Sequence, residues 1–129
     1  MAISSRKTKL VALVVDDNKI MRNHHVKLLM KLQVEAWDAK NGKEAVNFIE
    51  TGEEFDLILM DKVMPVMDGV EATRLLREMG VTTMIVGLGS LLSEEEKQAF
   101  MEAGGDDILE KPLSHPKLVS ILREVDNTF

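Results

Sequence analysis

The chain has 129 residues, 45% of them hydrophobic and 29% charged, which is enough for one soluble domain with a real core and too little for two. With no cysteine, a disulfide scaffold, a thiol nucleophile, a Cys-ligated zinc site and an iron–sulfur cluster are all excluded; a reducing cytoplasmic setting is expected, with the nucleus also open. A net charge of −6, only four Phe and one Trp, and no Tyr argue against direct DNA binding, and no apolar run approaches the roughly 18–20 residues that a membrane span needs.

Residues 1–9 are polar, with Arg6, Lys7 and Lys9 among them, and lack the apolar centre of a secretory signal. They are expected to be a flexible tail, leaving residues 10–129 as one domain without repeats or linkers. Residues 10–15, Leu-Val-Ala-Leu-Val-Val, form a continuous β-branched run of the kind found in a strand covered on both faces. From 19 to 32, Ile20, Met21, His24, His25, Leu28, Leu29 and Leu32 recur at helical steps. Val34, Ala36 and Asp38 then alternate with Glu35 and Trp37, which predicts a short half-exposed second strand.

Asn41-Gly42 marks a turn, and Ala45, Val46 and Ile49 give residues 43–50 an amphipathic helix ended by Gly52. Residues 55–60 form a buried strand ending in Asp61; after Pro65 and an Asp68-Gly69 turn, a helix over 70–79 stops at Gly80. Residues 84–88 are a fourth strand, and Ser93-Glu94-Glu95-Glu96 is a capping box that opens a helix running to Ala103. Ile108-Leu109 is a short fifth strand, and Pro116 sits in the first turn of a last helix reaching Val125. Strands alternating with helices predict an α/β domain, doubly wound around a five-stranded parallel sheet in the flavodoxin-like order 2-1-3-4-5 with helices on both faces.

Such sheets bind ligands beyond the carboxyl ends of their strands, where strand order reverses. There the sequence places Asp16 and Asp17 after the first strand, Asp61 after the third and Lys111 after the fifth. An Asp-Asp pair alone is more often a helix cap and its neighbour, and Asp61 or Lys111 alone would carry nothing. Their conjunction at the ends of different strands predicts a shared acidic pocket. Carboxylates so close need a counter-charge, and a hard divalent cation, Mg²⁺, suits their oxygen donors. Beside that cation Asp61 can act as a nucleophile toward an activated phosphoryl group, with Asp16 and Asp17 holding the metal and Lys111 meeting phosphoryl oxygen.

These residues resemble the receiver domain of two-component phosphorelay response regulators. Val14-Val15-Asp16-Asp17-Asn18, Asn41-Gly42-Lys43-Glu44-Ala45, Asp56-Leu57-Ile58-Leu59-Met60-Asp61, Met64-Pro65-Val66-Met67-Asp68-Gly69, Ala103-Gly104 and Glu110-Lys111-Pro112 carry the likeness, in order, over residues 10–123. The wording around Asp61 and over residues 97–104 is most similar to the plant type-C group, stand-alone receivers with no output domain attached. The resemblance implies Asp61 as phosphoacceptor, Asp16, Asp17 and Asp61 with the backbone carbonyl of Val63 as Mg²⁺ ligands, Lys111 as the phosphate-contacting lysine, and a cis Pro112. It also implies a histidine phosphotransfer protein or a sensor histidine kinase as partner, and a monomeric signalling domain that promotes only its own phosphorylation and dephosphorylation.

Two positions depart from that pattern. Gly89 stands where strand four usually ends in a hydroxyl residue, with Ser90 after it, and Ile108 stands where strand five usually carries a mobile aromatic ring. The usual switch is thus missing on both sides, and Ser90 could replace the lost hydroxyl only if its loop bends inward. The leading expectation is a phosphate shuttle or sink, or a signalling switch; the alternative is a pseudo-receiver that docks partners without being phosphorylated. A freestanding aspartyl phosphatase lacks support, because Val63 occupies the place of its second acid, and a flavin carrier lacks the phosphate-binding first loop. Neighbouring His24 and His25 point about 100° apart on a helix and cannot chelate together; they read as boundary packing, with pH sensitivity expected if His24 is buried. Lys19, Arg22 and Lys27 would give the first helix a basic face toward an acidic partner.

Overall fold

In the computed structural model, residues 9–62 and 66–129 are described, so the expected tail over residues 1–9 lies outside them but for Lys9. The elements alternate strictly. Strands β1 (Val11–Val15), β2 (Glu35–Ala39), β3 (Leu57–Asp61), β4 (Met84–Gly89) and β5 (Asp107–Glu110) are joined through helices α1 (Lys19–Lys31), α2 (Gly42–Glu50), α3 (Gly69–Glu78), α4 (Glu94–Glu102) and α5 (His115–Val125). All pairings are parallel and the order is β2-β1-β3-β4-β5, as the alternation predicts.

Alternate residues of each strand feed two separate cores, because successive side chains leave a strand on opposite faces. Leu13, Val15, Ile58, Met60, Ile85 and Ile108 pack with α2, α3 and α4 residues such as Val46, Leu76 and Phe100. Ala12, Val14, Leu57, Leu59, Val86 and Leu88 pack on the other face with Leu29 of α1 and Leu118, Ile121 and Leu122 of α5. Each helix starts at a polar cap whose side chain accepts a backbone N–H three residues on: Asn18, Asn41, Asp68, Ser93 and Ser114. Each such cap contributes about 1 kcal/mol and fixes where its strand–helix loop ends. Ser93 and Glu96 form the complete reciprocal box.

Two local readings change. Trp37 does not face solvent from β2: its ring meets Phe48 at 5.5 Å and Phe55 at 5.7 Å, both edge to face, and packs on the α2–α3 core. The strand is half-exposed as expected, with Glu35 and Asp38 open to solvent, but Trp37 turns to the core rather than joining them. Asp68-Gly69 is not a free turn but the cap and first residue of α3. A Cβ at Gly69 would collide with the carbonyl oxygen of Asp61, so only glycine lets α3 start this close to the end of β3.

Candidate functional site

The register of the sheet builds the site. Val15 of β1 lies opposite Met60 of β3, so the next residues, Asp16 and Asp61, leave the sheet side by side. Gly89 of β4 lies opposite Glu110 of β5, and Lys111 follows at once, its N–H donating to the Gly89 carbonyl at 3.0 Å. Asp16 and Asp61 are buried while Asp17 is exposed, and the three offer carboxylate oxygens that all lie within 4.8 Å of one another. Lys111 reaches across, its Nζ 3.1 Å from Asp61 Oδ1 and 3.3 Å from Asp16 Oδ2. The peptide bond between Lys111 and Pro112 is cis, as the resemblance implied.

Electrostatics follow from that crowding. Burial, then the charge of Asp16, raise the Asp61 carboxyl to about 6, against the opposing pull of Lys111. Burial works to lower the Lys111 ammonium, but its hydrogen bond and attraction to Asp61, and then Asp16, outweigh that and shift it upward. Three carboxylates against one ammonium leave the pocket with an excess of two negative charges when all are ionised. Oxygen donors with that excess fit a hard divalent cation such as Mg²⁺.

The loop carrying the acidic pair is held from beneath by α1. Asp16 Oδ1 accepts the Asn18 N–H at 2.9 Å, and the Asp16 carbonyl accepts from Arg22 Nη1 at 2.9 Å. Arg22 Nε donates to Asp38 Oδ2 at 3.0 Å. Arg22 is therefore buried beneath the pocket and does not belong to a basic docking face. Burial also falls on the other histidine: His24 is exposed, whereas His25 is fully buried and its Nε2 accepts the Leu113 N–H at 3.0 Å. Arg22, His25 and Leu29 share one inward stripe at helical spacing, a periodicity that apolar patterning alone overlooks because two of the three carry charge or a titratable ring.

The predicted switch positions look different. Gly89 is buried, and a Cβ there would meet Leu92 Cδ2 at 2.5 Å and Lys62 Cβ at 3.8 Å. Leu92, not singled out from the sequence, occupies the space into which a side chain at 89 would point. Ser90 is exposed. Ile108 is buried in the α2–α4 core. Beside it Phe100 of α4 lies against the backbone of Gly87 and Gly105, where a Cβ at Gly87 would stand 2.8 Å from the ring. Lys62, next to Asp61, pairs with Glu96 of α4 at 3.1 Å; the Ser93 N–H and then Lys62 hold that carboxyl below its ordinary range. Val63, expected to offer its carbonyl to a metal, lies outside the described residues.

A five-stranded doubly wound sheet with paired acids, a central aspartate and a lysine at its carboxyl edge is the arrangement of a phosphorelay receiver. Residues 12–123 match the response regulator receiver domain, and the chain belongs to that family. It is 48% identical over 120 residues to the two-component response regulator 24 of Arabidopsis thaliana, covering 93% of this chain and 86% of that one. It is 46% identical over 123 residues to the two-component response regulator ARR22 of the same plant, covering 94% and 87%. Both likenesses accord with the plant type-C resemblance read from the sequence. Among solved structures, a chain in the co-crystal of the Saccharomyces cerevisiae histidine phosphotransfer protein Ypd1 with the receiver domain of Ssk1 superposes with a TM-score of 0.84 at 30% identity, covering 93% of this chain and 90% of that one. Among the described residues, no helix is long and apolar enough to cross a membrane.

Proposed function

We propose that this chain accepts a phosphoryl group on Asp61 from a phosphohistidine donor, a histidine phosphotransfer protein or a sensor histidine kinase, in a Mg²⁺-dependent reaction, and works as a phosphate shuttle or sink. The observation that carries this reading is the convergence of Asp16, Asp17 and Asp61 with Lys111 on the two buried carboxylates. Asp16, Asp17 and Asp61, with the Val63 carbonyl, are the groups that would hold Mg²⁺. When bound, the ion supplies positive charge to the phosphoryl oxygens.

The residues of the chain do the rest. An ionised Asp61 oxygen attacks phosphorus, the bond from phosphorus to the donor imidazole nitrogen breaks, and the imidazole leaves with the bonding pair. Lys111, already drawn to oxygen anions at this point, takes the charge of the new acyl phosphate. Ile20, Val66 and Leu91 stand 82%, 75% and 91% exposed on the loops and the helix start at the same edge of the sheet, apolar surface that suits a protein donor better than a small one. The domain itself would catalyse only the gain and loss of its own phosphate.

Gly89 and its cover, Leu92, support a sink or shuttle over a conformational switch, since no hydroxyl from β4 binds the phosphoryl group. They equally favour a second reading, a pseudo-receiver that docks partners without phosphorylation. Intact-protein mass after incubation with Mg²⁺ and acetyl phosphate separates the two. The proposal expects a Mg²⁺-dependent gain of one phosphoryl group in the wild type and none in Asp61→Asn; no gain from acetyl phosphate or from a phosphorylated histidine phosphotransfer protein leaves the pseudo-receiver.

A further inference from the structure

The loop that carries Lys111 is strung between two anchors. At one end the Lys111 N–H donates to the Gly89 carbonyl on β4 at 3.0 Å. Two residues on, the buried Leu113 N–H donates to His25 Nε2 on α1 at 3.0 Å, across 88 residues of sequence. Leu113 and His25 are both buried, so this N–H has no water to turn to if the ring is removed. Because Nε2 accepts, the neutral ring carries its proton on Nδ1, and Nδ1 is buried with no hydrogen-bond partner. Leu or Met would fill the same space without an unpaired Nδ1–H of its own, but would leave the Leu113 N–H without an acceptor. The imidazole therefore does something an apolar side chain could not, and its one polar contact is with the Lys111 loop.

We infer that His25 is a positioning residue for the phosphorylation chemistry: from α1 its Nε2 fixes the Lys111-Pro112-Leu113 segment so that Lys111 Nζ stands over Asp16 and Asp61. The inference rests on the reading of Asp61 as phosphoacceptor, but its structural half does not. The same helix holds the opposite wall, since Arg22, one turn earlier, grips the Asp16 carbonyl. One face of α1 thus sets the distance between the acidic pair and the lysine. Neutrality of the ring is secured by burial, then by the nearby His24, with Lys111 acting in the same direction and Asp16 against it.

The test compares His25→Met, which fills space without an acceptor, with His25→Gln, whose amide oxygen can take the Leu113 N–H. In His25→Met the Leu113 amide should exchange with solvent at least about tenfold faster, and Lys111 should acylate several-fold faster with a small amine reagent, read by peptide mass. Phosphorylation by acetyl phosphate should slow by about tenfold, with Mg²⁺ affinity by calorimetry no weaker than wild type. His25→Gln should recover most of all three losses, which a purely space-filling role does not predict. A folded His25→Met with wild-type Lys111 acylation and phosphorylation rates overturns the inference. If the wild type takes no phosphate at all, the Asp61 reading falls, and the lysine acylation still decides what His25 does. Should His25→Met fail to fold, the long-range ¹H–¹⁵N spectrum of the wild-type ring decides: the inference requires a neutral ring protonated on Nδ1, and a proton on Nε2 contradicts it.

Discussion

The pocket between β1, β3 and β5 and the neighbouring face of β4 and α4 share one edge of one sheet, yet they differ in what their side chains can do. In the pocket the buried Asp16 and Asp61 both meet the half-buried Lys111, and Asp16 is held by backbone bonds from beneath. On the β4–α4 face the groups that could answer a change in the pocket are replaced by packing. Leu92 fills the space over Gly89, Ile108 is fixed in the core, and Phe100 presses on the glycine backbone at 87 and 105. The lesson is that the capacity to take a phosphoryl group and the capacity to report it are separable in this fold, because they rest on different strands.

The contrast makes its largest demand on the pocket. Asp61→Asn should abolish phosphorylation, and Lys111→Ala should slow it by about 10²-fold, both read by intact mass, since a buried charge aimed at developing charge is worth a few kcal/mol. In the absence of metal the same groups set a pH signature. His25 is held down to about 4, so the unfolded chain binds its proton first and stability falls by up to about 3 kcal/mol as pH drops from 6.5 toward 4. Asp61, raised to about 6, acts the other way: its protonated form is favoured in the folded state, so its contribution is lost as pH rises from near 4 to about 6. Denaturant unfolding in a chelating buffer should therefore find Asp61→Asn more stable than wild type at pH 7 by about 1–3 kcal/mol, with a steeper decline toward acid.

Gly89→Thr tests the other region. A hydroxyl there could add one charge-assisted hydrogen bond to the phosphorylated state, worth about 1.5–3 kcal/mol, but Leu92 must first move aside. The account expects a longer phospho-Asp lifetime only when Leu92→Ala accompanies Gly89→Thr, and little change with Gly89→Thr alone. The smallest effect is expected at Ser93→Ala, which removes the cap of α4 and should cost about 1 kcal/mol in thermal or denaturant unfolding, with phosphorylation unchanged.

The fold was legible because strand and helix periodicities switch cleanly and caps mark the loops, and the pocket because charged residues fall at strand ends where apolar runs stop. What escaped the sequence has a common cause. Arg22 and His25 sit inward on α1 at polar letters, so a reading that assigns polar residues to solvent or to the boundary sends Arg22 to a docking face and does not single out His25 as the buried histidine. Trp37 escaped because even a half-exposed edge strand packs some of its side chains on a helix-covered core. The absent hydroxyl at Gly89 and absent ring at Ile108 were visible, but Leu92 as the occupant of that space was not, since a loop residue's direction depends on the turn before it.

One experiment bears on both regions together: amide hydrogen exchange across the chain before and after phosphorylation, with the mass of the Asp61 peptide followed in the same samples. The account predicts a phosphoryl group on that peptide, changed protection in the loops around Asp16, Asp61 and Lys111, and unchanged protection through α4. Phosphorylation at Asp61 accompanied by a shift in protection along Glu94–Glu102 as large as that around the pocket would contradict it.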